Sequence, residues 1–246
     1  MTALAQEAPV TTPEITTPET TTPGPDLDEV LWQAWKAMEL PEGFHAEIIE
    51  GSIEVSPTGR HSHSRTSFQL RRQLTQYLDK TSSAYAVTND TNIIHGRKVW
   101  IPDLVIALED AITAFADDTE YVAEHGIGLD VGCVALVAEV VSPGHDCKQR
   151  DRVRKRRAYA RAGIPVYVLI DDYDGMGTVT VLSSPRPGEG TYAQSHRARY
   201  GLDVVIPDGP AKGFVIGEAI TGPPAWRTGV SPCAGSGSPS AGPGSP

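Results

Sequence analysis

The chain has 246 residues, 39% of them hydrophobic, a formal net charge of -10 and three cysteines. That length holds one domain of ordinary size with tails. The odd cysteine count, with no C-x-x-C spacing among Cys133, Cys147 and Cys233, excludes a disulfide framework or zinc knuckle as the first expectation and fits a reducing cytoplasm.

The opening MTALAQEAPV has neither a basic start nor an apolar run, and no stretch approaches a membrane span, so the expectation is a soluble, cytoplasmic protein with no membrane partner. Residues 1–25 are rich in Thr, Pro and Glu with almost nothing to bury, which predicts a disordered tail. The first 30 residues contain six acids and no Lys or Arg, so much of the negative charge sits there and the total says little about partners. From Asp26, a cap for the first turn, Leu27, Val30, Leu31, Ala34 and Met38 recur at helical spacing.

FHAEIIEGSIEV, residues 44–55, alternates around Glu50-Gly51 and predicts a hairpin. Phe68, Leu70, Leu74, Tyr77 and Leu78 then mark one buried face of a helix from about Ser62 to Asp79. Residues 84–108 read as β structure turning at His95-Gly96, and 109–131 as an acidic loop with one helical turn. CVALVAEVVS, residues 133–142, is an apolar run broken by Glu139 and predicts a strand buried on both faces. A helix over 148–163, stopped by Gly163, leads into a buried strand at 165–171, the pattern of a right-handed βαβ crossover. GTVTVLSS, residues 191–197 and GLDVVIP then predict a closing meander, and 222–246 a second disordered tail. The sum is an α/β domain over 26–221, a mixed central sheet flanked by helices.

Two residues break the hydrophobic pattern. An ionised Glu139 inside an apolar strand costs several kcal/mol unless paired or metal-bound. Asp103 likewise sits in WIPDLVIAL directly after a proline. On neighbouring strands the two would offer carboxylate oxygens to a hard cation such as Mg²⁺; alternatively each is a solvated strand-end residue.

The helix at 148–163 carries eight cations against the single acid Asp151. Asp151, Lys155 and Tyr159 share a stripe at i, i+4. Lys155 could orient a metal-bound water and the arginines a phosphate backbone, or Lys155 could simply pair with Asp151 at the surface.

The tryptophans Trp32, Trp35 and Trp100 read as packing, Cys133 as a small core residue, and Cys147 as an ordinary thiol beside a turn. The histidines lack zinc spacing, and there is neither a phosphate-binding glycine loop nor a nucleophile elbow.

Taken in order, ELPEGFHAEIIEGSIEVSP, His63 ahead of a Leu-rich helix, IPDLVI, LVAEVVSPG and DRVRKRRAYARAGIPVYVLID resemble the Uma family of restriction endonucleases, within the PD-(D/E)XK nuclease superfamily. The resemblance covers about Leu40 to Asp171, with a weaker extension to about Ile220. It implies a restriction-endonuclease-like core and a Mg²⁺- or Mn²⁺-dependent endonuclease acting on DNA. It also implies Asp103 and Glu139 as metal-binding acids joined by the Val140 carbonyl, and Lys155 as catalytic lysine, since Val141 stands where the simple motif has Lys.

Glu47 and Glu50 match the E-x-x-(D/E)-G hairpin; alternation sends them to opposite faces, and Glu47 is the one expected at the metal. His63, Arg152 and Arg156 are the expected substrate contacts, with a capping role for His63 equally open. A homodimer would suit cleavage of both strands. The rival expectations are a catalytically silent DNA-binding or scaffolding module and a hydrolase of a small phosphorylated substrate.

Overall fold

The computed structural model describes residues 26–57, 61–114, 126–141 and 148–223. The two predicted tails (apart from Gly222 and Pro223), Cys147 and the centre of the acidic loop lie outside the described residues. Helix α1 (Leu27–Lys36) starts where Asp26 accepts a hydrogen bond from the Asp28 amide. Strands β1 (Phe44–Ile49) and β2 (Ser52–Pro57) pair as the predicted hairpin. Glu50 and Gly51 turn it with φ of 47° and 79°, a pair of positive values that matches strand twist in a two-residue turn.

Helix α2 (His61–Lys80) is followed by β3 (Tyr85–Thr88), β4 (Ile93–His95), β5 (Lys98–Trp100), β6 (Leu104–Leu108) and α3 (Glu109–Thr113). After β7 (Leu129–Asp130) and a 3₁₀ turn, the apolar run forms β8 (Val134–Val140). The basic helix opens with a π-helical turn, Arg150–Lys155, and continues as α4 (Arg156–Arg161). Then come β9 (Val166–Asp171), β10 (Thr178–Arg186), β11 (Thr191–Arg199), β12 (Val204–Val205), β13 (Val215–Ile216) and α5 (Glu218–Thr221).

The mixed central sheet has the order β11-β10-β9-β8-β6-β3, with β8 and β9 parallel as the crossover requires. A five-stranded sheet, β2-β1-β5-β4-β7, stands beside it, and β12 pairs with β13. Period-two alternation identified these strands but carried no information about which sheet each joins, because pairing partners are chosen by long-range contacts.

Alternate residues divide the core. Leu104, Ile106, Leu136, Ala138 and Val140 face α2, whose Leu70, Leu74 and Leu78 cover them. Val105, Val137 and Tyr167 face the other way, against Ile49, Ile93 and Trp100 of the five-stranded sheet and Tyr159 of α4. Ile48, Ile94 and Val99 on that sheet's far side meet Trp32 of α1. Each of these Leu, Ile and Val side chains contributes about 1.5–3 kcal/mol by leaving water.

Two registers place the candidate residues. Leu104 pairs with Ala138, which puts Asp103 opposite Glu139 one step further, and Val140 pairs with Ile170, so β8 and β9 end together.

No helix among the described residues is long and apolar enough to cross a membrane. Cys133 is buried in the second core layer, and burial first, then Asp130, pushes its thiol up to about 11. Since only the thiolate reacts, Cys133 should resist labelling by a maleimide at pH 8 in the native protein and react fully in denaturant, as read by peptide mass spectrometry. Fast native labelling would contradict its packing.

Candidate active site

Pro102 ends the approach to β6 and Asp103 follows it, at the mouth of the sheet. Its Oδ2 accepts the Val140 amide at 2.6 Å and lies 3.0 Å from His63 Nε2 on the first turns of α2. One turn on, Ser67 donates to the Asp103 carbonyl at 3.5 Å, so α2 holds both backbone and side chain. Burial alone would raise the Asp103 carboxyl, but His63, the Val140 amide and Lys155 outweigh it and hold the group below the usual carboxylate range. For His63 burial works toward the neutral ring, and the Asp103 bond more than offsets it, raising the imidazole above its ordinary value. The Asp103 side chain is 21% exposed, against 3% for Glu139 and 0% for Glu47, so solvent reaches this group of residues from the Asp103 side.

Glu139, the penultimate residue of β8, points toward the basic helix and the five-stranded sheet. Its Oε1 accepts from Lys155 Nζ at 2.9 Å and from the Tyr159 hydroxyl at 2.5 Å. The same ammonium lies 2.8 Å from Glu47 Oε1 and donates to the Ile101 carbonyl at 3.3 Å. Glu47 Oε1 also accepts the Ile101 amide at 2.7 Å, while its Oε2 is buried with no hydrogen-bond partner.

Burial pushes the Glu139 carboxyl up to about 8, and Asp103, Asp151 and Glu47 add to that push while Lys155 opposes it. Burial would lower Lys155, but Glu139, Glu47 and Asp151 reverse the effect, so the amine stays protonated.

The π-helical turn gives this helix its three buried ionic residues, Arg150, Asp151 and Lys155, in one stretch. π turns are rare and tend to occur at functional positions. Here Asp151 and Lys155 both face inward, together with Tyr159 of α4. Asp151 accepts from Arg150 Nε at 2.9 Å, and the Tyr167 hydroxyl donates to its carbonyl at 2.8 Å. Tyr159, Asp151 and Arg150 were not among the expected site residues. The i, i+4 stripe was the available signal for the first two, whereas nothing in the sequence marks the Arg150 contact to Ser56 on β2.

The expected residues thus separate into two groups. Asp103, Glu139, Val140, Lys155, Glu47 and His63 come together. Arg152 forms a two-pronged pair with Asp171, at 2.6 and 2.9 Å, and Arg156 is exposed beside it. Glu50 diverges from Glu47 and gathers Arg157, Arg154 and Arg161. Much of the basic helix is therefore spent on internal acids rather than left as a free cationic face.

Among the described residues no three His, Cys, Asp or Glu side chains already converge as a metal cluster. The donor set nevertheless suits a hard divalent cation. It offers three carboxylates, one with a buried oxygen that makes no hydrogen bond, at a partly open end of the sheet.

Replacing Lys155 with Met removes the shared partner of Glu139 and Glu47 in the interior, and loss of one partner of a buried ion pair costs about 3–5 kcal/mol. Urea titration at neutral pH should show that loss; unchanged stability would mean that the cation is not what holds the acids.

Glu50 offers a pH test. The bond from Arg157 comes first among the causes that hold its carboxyl below the usual value. Such a depressed group adds stability above the unfolded carboxylate pKa and loses it as pH falls through the folded one. With half-exposed arginines the contribution is about 1 kcal/mol. Glu50→Gln should therefore be less stable than the natural chain by that amount at pH 7 and equal to it near pH 2; a gap that persists in acid would refute the pairing.

No curated protein matches this chain. Among solved structures, one described as a putative nuclease belonging to DUF820 from Anabaena variabilis ATCC 29413 superposes with a TM-score of 0.58. The alignment covers 78% of this chain and 97% of that one at 16% identity, which shows a shared fold. The family described as "Uma2: Putative restriction endonuclease" matches residues 32–214, a span that includes every residue of the site. On that match over most of its length, the chain belongs to the Uma2 family.

Proposed function

We propose that this protein is a metal-dependent endonuclease that hydrolyses DNA phosphodiester bonds. In this reading Asp103, Glu139 and the Val140 carbonyl hold Mg²⁺ or Mn²⁺, Glu47 joins them, and Lys155 acts on the attacking water. The observation that carries it is that Lys155 bridges Glu139 and Glu47 at the end of the central sheet where the strand register sets Asp103 opposite Glu139, despite Val141 at the motif's usual lysine position. The lysine reaches the site from the helix instead of the strand. A divalent cation bound there would neutralise phosphate charge and acidify the attacking water.

The chain's own groups have distinct tasks. Lys155, held protonated, serves as a hydrogen-bond donor and positive charge for the developing phosphorane rather than as a base. His63 keeps the Asp103 carboxylate turned and ionised, and Tyr159 fixes the rotamer of Glu139. The partly exposed Asp103 marks where a phosphate enters.

The ion pairs of Lys155 with both Glu139 and Glu47 favour one second reading, a nuclease-fold DNA-binding or scaffolding module without catalysis. In that case the ammonium is a permanent structural counter-ion.

Supercoiled plasmid separates the two. With Mg²⁺ or Mn²⁺ the natural chain should nick it, and Asp103→Ala should lower the rate at least about 100-fold, as for loss of one preorganised charged group. Nicking that survives Asp103→Ala unchanged rejects the assignment. DNA affinity without a calorimetric signal for either metal supports the silent module.

A further inference from the structure

Beyond Glu139 in the register of the central sheet, β9, β10 and β11 carry a groove lined by none of the site's own residues. Glu139 pairs with Leu169, Leu169 with Thr180 and Thr180 with Arg197, so one row of residues crosses four strands from the carboxylates to β11. Strands lie about 4.8 Å apart, which makes the row about 14 Å long. Beside it, Asp171, Thr178 and Arg199 form the next row outward on the same face. The groove consists of two hollows of about 320 and 350 Å³ that share Asp174, Thr178 and Arg197. Arg152 and Arg156 of the basic helix form one wall of the first hollow, and Arg199 lines the second.

Charge distinguishes this groove from the rest of an acidic chain. Two acids line it, and each already has an arginine: Asp171 has Arg152, and Asp174 has Arg197 at 2.7 Å. Arg156 and Arg199 are exposed and make no ion pair among the described residues, which leaves two positive charges in surplus over a floor that includes the Thr180 and Ser195 hydroxyls. Lys148, whose ammonium lies 5.0 Å from the centre of the Tyr173 ring, adds a further cation on the helix that forms the wall. Guanidinium forks and hydroxyls are the usual ligands of phosphate oxygens. A lone phosphate would use only part of a groove that runs from Leu169 to Arg197 and outward to Arg199, whereas successive phosphates of one strand would use its length.

The geometry points to a backbone track: the groove between the basic helix and the β10–β11 hairpin binds the phosphodiester chain of a nucleic-acid strand, with Arg156 and Arg199 as its principal contacts. The scissile phosphate would lie at one end of it, a placement that rests on the nuclease reading; the track itself does not.

Fluorescence anisotropy of a labelled 20-base-pair DNA duplex, with the full chain and no divalent metal, tests the track between 50 and 200 mM NaCl. Arg156→Ala/Arg199→Ala should weaken Kd at least about tenfold and reduce the slope of log K against log salt by about 2. Arg186→Ala, on an exposed arginine at the opposite end of β10, should bind like the natural chain. Thermal melts should show both variants folded.

Failure of the natural chain to bind, equal binding by the double variant, or an equal loss in Arg186→Ala would overturn the track. Hydrolysis of bis(p-nitrophenyl) phosphate, too small to span the groove, reports on the chemistry separately. A double variant that hydrolyses this ester normally but binds the duplex poorly supports the track. Hydrolysis indifferent to Asp103→Ala sinks the nuclease reading and leaves the track standing.

Discussion

Everything around the site depends on a lysine buried between two glutamates. Taking an ammonium or a carboxylate out of water costs several kcal/mol, and the cost is recovered only when opposite charges meet at hydrogen-bond distance with their remaining donors and acceptors satisfied. Lys155 meets Glu139 and Glu47 at 2.9 and 2.8 Å, the Tyr159 hydroxyl and Ile101 amide add hydrogen bonds to the same carboxyl oxygens, and Glu47 Oε2 is the acceptor left without one. The three charged residues come from three elements: a hairpin strand, a central strand and a helix. None is tolerable in place without the other two, so the hairpin sheet, the central sheet and the helix must be packed together before the site exists.

That requirement accounts for the layer order. Tyr159, Tyr167 and Trp100 form an aromatic stack between the two sheets, with edge-to-face contacts at 5.5 and 5.2 Å between ring centres. This apolar wall lowers the local dielectric and strengthens each ionic contact beside it. On the other face of the central sheet, α2 supplies the leucines that anchor β6 and β8, and at its start it delivers His63 to Asp103. One acid is thus governed by a histidine near the surface and the other by a lysine in the interior. Their carboxyls are pushed in opposite directions, Asp103 down and Glu139 up to about 8. Two acids with separated protonation behaviour are what a site needs if one is to hold charge and the other to respond to a ligand.

The basic helix shows how little a count of charges says about a surface. Its cations outnumber its single acid, yet Glu50, Glu54, Asp151 and Asp171 absorb most of them. What remains outward is small and local, and lies where the helix faces the β10–β11 hairpin.

Alternation, helical spacing and the strand-helix-strand order made the elements and the parallel β8–β9 pair legible from the sequence, because these follow from local backbone geometry and from the need to bury apolar faces. Asp103 and Glu139 stood out for the same reason: a charge inside an apolar strand is costly wherever it lies in the fold. The i, i+4 stripe likewise placed Asp151, Lys155 and Tyr159 on one side of a helix.

The tertiary structure alone decided which acid each cation meets, that strands close in sequence belong to two sheets, that Glu47 turns inward while Glu50 turns to the arginines, and that the helix opens with a π turn. Each of these depends on distances between residues far apart in the chain, and local periodicity carries no record of such distances.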